Sequence, residues 1–140
     1  MTSARALSGD PLKHQGAAVE KSELNGKHDG RIVECPVAAP RHDRVYQRLV
    51  DNTFDGREFI DIRTPVVGGS APFVYLKRRT RDLRFSNENH RVDLAPTDAL
   101  LSKDEQGKIA EFARAMTLDF GGLDVLRNRE DGRIYIVDAN

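Results

Sequence analysis

The chain has 140 residues, enough for one domain that buries about two-thirds of its unfolded surface. Its 22 Lys and Arg balance 22 Asp and Glu, which removes any general electrostatic case for nucleic acid or an acidic membrane. The single cysteine, Cys35, excludes an internal disulfide and a cysteine zinc site, and no apolar run reaches membrane-spanning length or forms a signal core, so reducing cytoplasm is the expected setting.

Residues 1–16 are small, polar and turn-rich, and read as a loose lead-in. Residues 17–50 are expected to form a small subdomain, and 51–140 a sheet with a helix. Ala17 to Ser22 (AAVEKS) has strand character, the loop Asn25 to Gly30 (NGKHDG) carries two glycines, and RIVECP is extended again up to Pro36. This predicts a β-ribbon with a glycine-bearing tip. Glycines let backbone N–H groups approach an anion closely, and Lys21, Lys27 and His28 add positive or donor character. The alternative is an ordinary solvated hairpin.

Val45 to Val50 (VYQRLV) is an apolar-rich strand, followed by the loop DNTFDG. In REFIDIRTPVV, Phe59, Asp61 and Arg63 share one face while Glu58, Ile60 and Ile62 share the other, the alternation of a half-buried strand. VGGSAP turns the chain into a returning strand, Phe73 to Lys77. The strongly basic run KRRTRDLR, Lys77 to Arg84, reads as a solvated loop or as a nucleic-acid patch, although Phe85 alone accompanies it where a stacking platform interleaves several aromatics. A short extended centre, Val92 to Leu94, follows. Ser102 then opens a helix with the signature S-x-x-E, Ser102 to Glu105, a reciprocal cap worth ~1 kcal/mol. Ile109, Phe112, Ala113 and Met116 recur at helical spacing and predict the face that packs on a sheet. His14, His28, His42 and His90 lie far apart with no H-x-x-x-H pair, no serine sits in a G-x-S-x-G elbow, and Cys35 falls inside a strand pattern as a packed thiol.

Leu118 to Asn140 reads as two strands joined by a tight turn. Gly132, after Glu130 and Asp131, suits a three-residue loop closed by a left-handed glycine. If Arg129 pairs with Arg133 across that loop, Asp124 faces Asp138 and Asn140 extends the same face. Facing residues sit ~5 Å apart at Cβ, where two carboxylates repel by roughly 3 kcal/mol at an effective dielectric near 20. A cation between them relieves that repulsion, and an all-oxygen donor set suits magnesium rather than zinc. A one-residue slip would instead turn Asp138 to the other side, leaving Asp138 and Asn140 as the start of a surface loop.

A strand carrying Asp, a DG turn and a strand ending in acid-x-Asn resemble the C-terminal half of the ATP-grasp superfamily, and the preceding elements follow that family's order from Ala18 onward. The resemblance implies an α+β fold, ATP-grasp-like, with an antiparallel sheet, a packed helix and a small β-ribbon lid. It implies ATP and Mg2+ (or Mn2+) as cofactors, with Asp124, Asp138 and Asn140 as metal ligands. Lys21 and the loop residues Asn25, Gly26, Lys27, His28 and Gly30 then cover the ATP phosphates. Gln47, Arg48 and Leu49 fall at the adenine hinge, Glu58 at the ribose hydroxyls, and Lys77 beside the triphosphate, with an arginine of the Arg78 to Arg84 segment reaching phosphate or an acidic acceptor. The implied reaction phosphorylates a small-molecule carboxylate to an acyl phosphate, which an amine or thiol attacks, with no covalent nucleophile on the protein. Four departures accompany it. Asp138 stands where the family usually has Glu, Gln47 where it has an acid, Gly122 where several family ligases carry a substrate-side Arg, and PVAAPRHD is too short for the helix of the family's lid. The expectation is therefore a Mg-ATP-binding domain of a ligase, with further domains of a longer chain missing. A non-catalytic Mg-ATP-binding module is the alternative reading, and a small interaction domain docking an acidic or nucleic-acid partner through KRRTRDLR is a third.

Overall fold

The structure, a computed structural model, describes residues 8–24, 27–86 and 88–140. Among these residues two antiparallel sheets divide the strands. Strands β1 (Gly16–Ser22), β2 (Arg31–Cys35) and β3 (Arg44–Arg48) form a three-stranded sheet in the order β2-β1-β3. The ribbon expected from the sequence is present as β1 and β2, and β3 adds a third strand: β1 is the middle strand, with Val19 paired to Ile32 on one side and to Gln47 on the other. The segment read as a strand to Val50 leaves the sheet after Arg48, and Val50 packs against Tyr135 of the larger sheet.

That larger sheet has the order β6-β5-β4-β7-β8, built from β4 (Phe59–Val67), β5 (Val74–Arg79), β6 (Arg91–Ala95), β7 (Phe120–Arg127) and β8 (Ile134–Ala139). Two helices, α1 (Thr97–Leu100) and α2 (Lys103–Ala115), connect β6 to β7. Alternation in β4 sorts its faces. Ile62 and Val66 join Val74, Leu123, Val125, Ile134 and Ile136 under Leu101, Ile109, Phe112 and Ala113 of the helical segment. Burying each such side chain stabilises the fold by about 1.5–3 kcal/mol, so this face is the core. The other face, carrying Asp61, Arg63 and Asp124, turns toward the three-stranded sheet. No helix among the described residues is long and apolar enough to cross a membrane.

Helix α2 starts as its sequence dictates. The Ser102 hydroxyl accepts from the Glu105 backbone N–H at 3.2 Å, and the Ser102 N–H donates to the Glu105 carboxylate at 2.9 Å. Arg127 of β7 grips the same carboxylate at 2.5 and 3.0 Å and also donates to the carbonyls of Leu100 and Gly132. The helix start is thereby fastened to the β7–β8 hairpin.

The hairpin itself differs from the expected turn. Asn128 and Arg133 close it, with the Asn128 N–H donating to the Arg133 carbonyl at 2.8 Å, so the loop spans residues 129–132 rather than three residues. Gly132 does occupy the left-handed region, at φ 69°. The ladder therefore runs one residue out of the expected register at Val125↔Ile136. A bulge between Asp124 and Val125 restores it, and Asp124 pairs with Asp138. Without that bulge Val137 would stand opposite Asp124, and Asp138 would turn toward the core.

Candidate functional site

The two sheets enclose a cleft of about 470 Å³. From the small sheet, β1 presents Val19 and Lys21, and β3 presents Val45 and Gln47, because residues two apart on a strand share a face. Leu126 and Val137 form the apolar wall opposite, and Asp61 and Asp124 the charged part of it. Of the residues picked out from sequence, Lys21, Lys27, His28, Gly30, Gln47, Arg48, Leu49 and Asp124 line this one cleft. Asn25 and Gly26 lie outside the described residues.

Asp138 and Asn140 are not among the residues that line this cleft; they lie beside Asp124 at its edge. Asp138 is the cross-strand partner of Asp124, and Asn140 is paired with Gly122 through backbone hydrogen bonds of 2.7 and 3.1 Å. The Asn140 amide donates to Asp138 at 3.0 Å. Two carboxylates and one amide carbonyl thus lie on one face at the end of the sheet, an all-oxygen set of the kind that holds magnesium alongside phosphate oxygens. No cluster of three or more His, Cys, Asp or Glu that would hold a metal occurs among the described residues, so any ion here leans on the Asn140 amide.

The charge of these donors is presently balanced by the protein's own cations. The Arg63 guanidinium donates to Asp124 at 3.1 Å and to the Asn140 side-chain amide oxygen Oδ1 at 2.5 Å, and Lys77 stands 3.7 Å from Asp124. Across the cleft, burial pushes the Lys21 ammonium below its usual pKa, while the facing Asp138 carboxylate draws it partly back. Arg63 fits because Gly122 has no side chain: a Cβ there would lie 2.4 Å from a guanidinium nitrogen and 2.6 Å from its carbon. The sequence reading identified Gly122 as lacking the family's arginine. In the structure an arginine from the neighbouring strand fills that space.

Glu58 lies off the cleft. It precedes β4 on the same side as Ile60 and Ile62, and it pairs with Arg78 at 3.5 Å. The acid that β4 turns to the cleft is Asp61, held by Arg79 and by the Asn52 amide at 3.0 Å. Burial raises its pKa, and Arg79 works against that shift. The signal that finds Asp61 was present in the alternation of β4, since the strand face bearing two isoleucines belongs to the core. The basic segment is likewise dispersed by pairing. Lys77 meets Asp124, Arg78 meets Glu58 and Asp93, and Arg79 meets Asp61. Arg84 reaches the cleft beside Leu49 and Val50 rather than at its Asp124 end, donating to the Val50 carbonyl at 3.2 Å. Phe85 beside it packs on Gly30 of the glycine-bearing loop, where a Cβ would come within 3.1 Å of the ring.

No family model matches this sequence, and no curated protein matches it. Solved structures do. The chain aligns with the ATP-grasp ligase PsnB complexed with minimal precursor, Mg and ADP at a TM-score of 0.61 and 17% identity, over 89% of this chain and 37% of that one. It aligns with PsnB complexed with a phosphomimetic variant of the minimal precursor, Mg and ADP at 0.59 and 16%, over 89% and 36%. With PsnB complexed with minimal precursor the values are 0.58 and 17%, over 89% and 39%. The chain spans less than two-fifths of the length of these ligases. Identity this low speaks for architecture, and the architecture of this chain is part of the ATP-grasp fold.

Proposed function

We propose that this chain is the nucleotide- and metal-binding part of an ATP-grasp-type ligase, and that Mg-ATP occupies the cleft between its two sheets. The observation that carries the reading is the convergence of Asp124, Asp138 and Asn140 on one face, opposite Lys21. Asp124 and Asp138 would hold magnesium with the Asn140 carbonyl oxygen completing the protein's donors. Magnesium bound there supplies charge neutralisation for the phosphate oxygens. Lys21 acts as a point charge on the phosphates, already partly desolvated and so strengthened by its surroundings. Lys27, His28 and Gly30 close over them from the loop, and the hinge segment Gln47 to Leu49 bounds the base. Lys77, at 3.7 Å from Asp124, adds a second cation on the opposite wall.

The reaction supported by this reading is phosphoryl transfer to a carboxylate. The acceptor oxygen forms a bond to the γ-phosphorus, ADP leaves, and an amine or thiol then displaces phosphate from the acyl carbon. The protein contributes alignment and charge stabilisation. Arg63, once released from Asp124, is placed to receive the acceptor carboxylate beside the metal. PsnB is in complex with a minimal precursor in its solved structures. For this chain the acceptor is a carboxylate compound in the cytoplasm, joined to an amine or thiol.

Thermal unfolding with ATP, with and without magnesium, tests the binding. Saturating Mg-ATP at one hundred times Kd is expected to stabilise the fold by about 2.7 kcal/mol, and EDTA should remove most of that gain. Asp138→Ala is expected to abolish the magnesium-dependent part while retaining the fold. An unchanged shift in that variant would sink the metal assignment. ADP release on offering carboxylates with amines or thiols separates a ligase from a module that only binds nucleotide.

A further inference from the structure

A second cavity, of about 520 Å³, adjoins the nucleotide cleft behind the hinge, and Leu49, Arg84 and Phe85 line both, forming the partition between them. Three arginines reach this second cavity: Arg81, Arg84 and Arg129. Arg84 lies 4.2 Å from the ring centroid of Phe59 and 5.2 Å from that of Phe85, within cation–π reach of both rings. Its hydrogen bond goes to a backbone carbonyl, and no carboxylate pairs with it among the described residues. Burial lowers its pKa; Asp51 and Asp61 oppose that shift, and the like charge of Arg81 adds to it. The guanidinium groups of Arg81 and Arg129 make no hydrogen bond or ion pair among the described residues. Two acids also border the cavity. Asp51 has one oxygen committed to the Thr53 N–H and hydroxyl at 3.1 and 2.6 Å, and Glu130 is exposed at the rim.

Three guanidinium groups border one concavity; Asp51 offsets part of their repulsion through Arg129 and Arg84, and a bound oxyanion offsets the rest. The planar forks of arginine match phosphate oxygens two at a time. The volume lies in the usual range for small-molecule sites. We propose that this cavity is a second anion site, taking a phosphate-bearing small molecule that Arg81 and Arg129 grip while Arg84 forms the wall toward the nucleotide cleft. The proposal stands on the arginine arrangement alone and does not depend on what fills the first cleft.

Titration calorimetry with inorganic pyrophosphate, without divalent cations and at constant ionic strength, tests it. Arg81 and Arg129 are exposed, so Arg81→Gln combined with Arg129→Gln leaves the packed residues in place, and a thermal melt checks that it does. Wild type is expected to bind saturably, with about tenfold or greater weakening in the double variant. Binding should persist in Lys21→Gln, which alters only the first cleft, and in the charge-matched control Arg57→Gln with Arg114→Gln. Equal weakening in the charge-matched control would reduce the effect to net charge and overturn the site. So would loss of binding in Lys21→Gln, full binding by the Arg81 and Arg129 double variant, or no saturable binding by wild type.

Discussion

At the scale of single residues, the site turns on how Arg63 and Gly122 fit each other. Arg63 reaches Asp124 and Asn140 across the surface of a residue with no side chain. Its guanidinium neutralises part of the repulsion between Asp124 and Asp138, standing where a divalent ion would otherwise do so. Removing it exposes that repulsion. Arg63→Gln is expected to cost about 1 kcal/mol in the absence of divalent ions, a value discounted because both partners are about one-quarter exposed. Millimolar magnesium should then restore more stability to the variant than it adds to wild type, because it no longer competes with a guanidinium. Urea denaturation with and without magnesium reads both quantities. An equal magnesium increment in the two proteins would show that the ion does not meet Asp124. The alternation of β4 puts Asp61 and Arg63 on one face and Glu58 with Ile60 and Ile62 on the other; Ile62 joins the core, and Asp61 rather than Glu58 lines the cleft.

At the scale of elements, local signals were the most legible. The capping box at Ser102 and Glu105 and the left-handed Gly132 depend on residues within one turn of each other, so the sequence contains all that fixes them. The facing of Asp124 and Asp138 was expected from a three-residue loop. It arises instead from a four-residue loop whose register error is undone by a bulge, a compensation of two irregularities that no pattern in the strands announces. The clamp of Arg127 on Glu105 was not legible either, because it joins residues far apart in the chain. It makes Glu105 answerable to pH. The Arg127 hydrogen bonds, with the Ser102 backbone assisting, hold its carboxyl below the usual value against the effect of burial. A depressed folded-state pKa gives stability that is present above the unfolded value near 4.5 and lost as pH falls through the lower, folded value. Glu105→Gln can keep the cap but removes the negative charge that faces Arg127, so it should destabilise by about 1–2 kcal/mol at pH 7. The gap between variant and wild-type melting temperatures should narrow as pH drops below about 4. A gap independent of pH would assign the loss to packing rather than to the ion pair.

For the molecule as a whole, the division of labour follows the two faces of the five-stranded sheet. One face is closed by helix α2 and carries the core; the other mixes the charged Asp61 and Asp124 with the apolar Leu126 and Val137 and faces the small sheet across the cleft. Sequence order revealed both sheets, but not that β3 completes the smaller one, because strand pairing between distant segments leaves no local mark. Nor did it reveal that Arg84 reaches the Val50 carbonyl and that Phe85 packs near Gly30 of the glycine-bearing loop. Lys21 shows what this arrangement asks of stability. It is half-buried on β1, where desolvation lowers its pKa and Asp138 only partly compensates. A lysine with a depressed folded-state pKa is a liability while protonated, and the liability fades as pH rises through that value toward 10.5. Without nucleotide, Lys21→Met should therefore raise stability at pH 7, by about 0.5 kcal/mol or less once solvent screening is allowed for, and the advantage should shrink as pH approaches ten. With Mg-ATP the order reverses: the variant gives up the phosphate contact and with it most of the ligand-induced rise in melting temperature. Melting curves at pH 7 and pH 10, with and without Mg-ATP, measure both effects. A variant that is less stable alone yet gains as much from the nucleotide would make Lys21 a structural residue and leave the phosphates to Lys77 across the cleft.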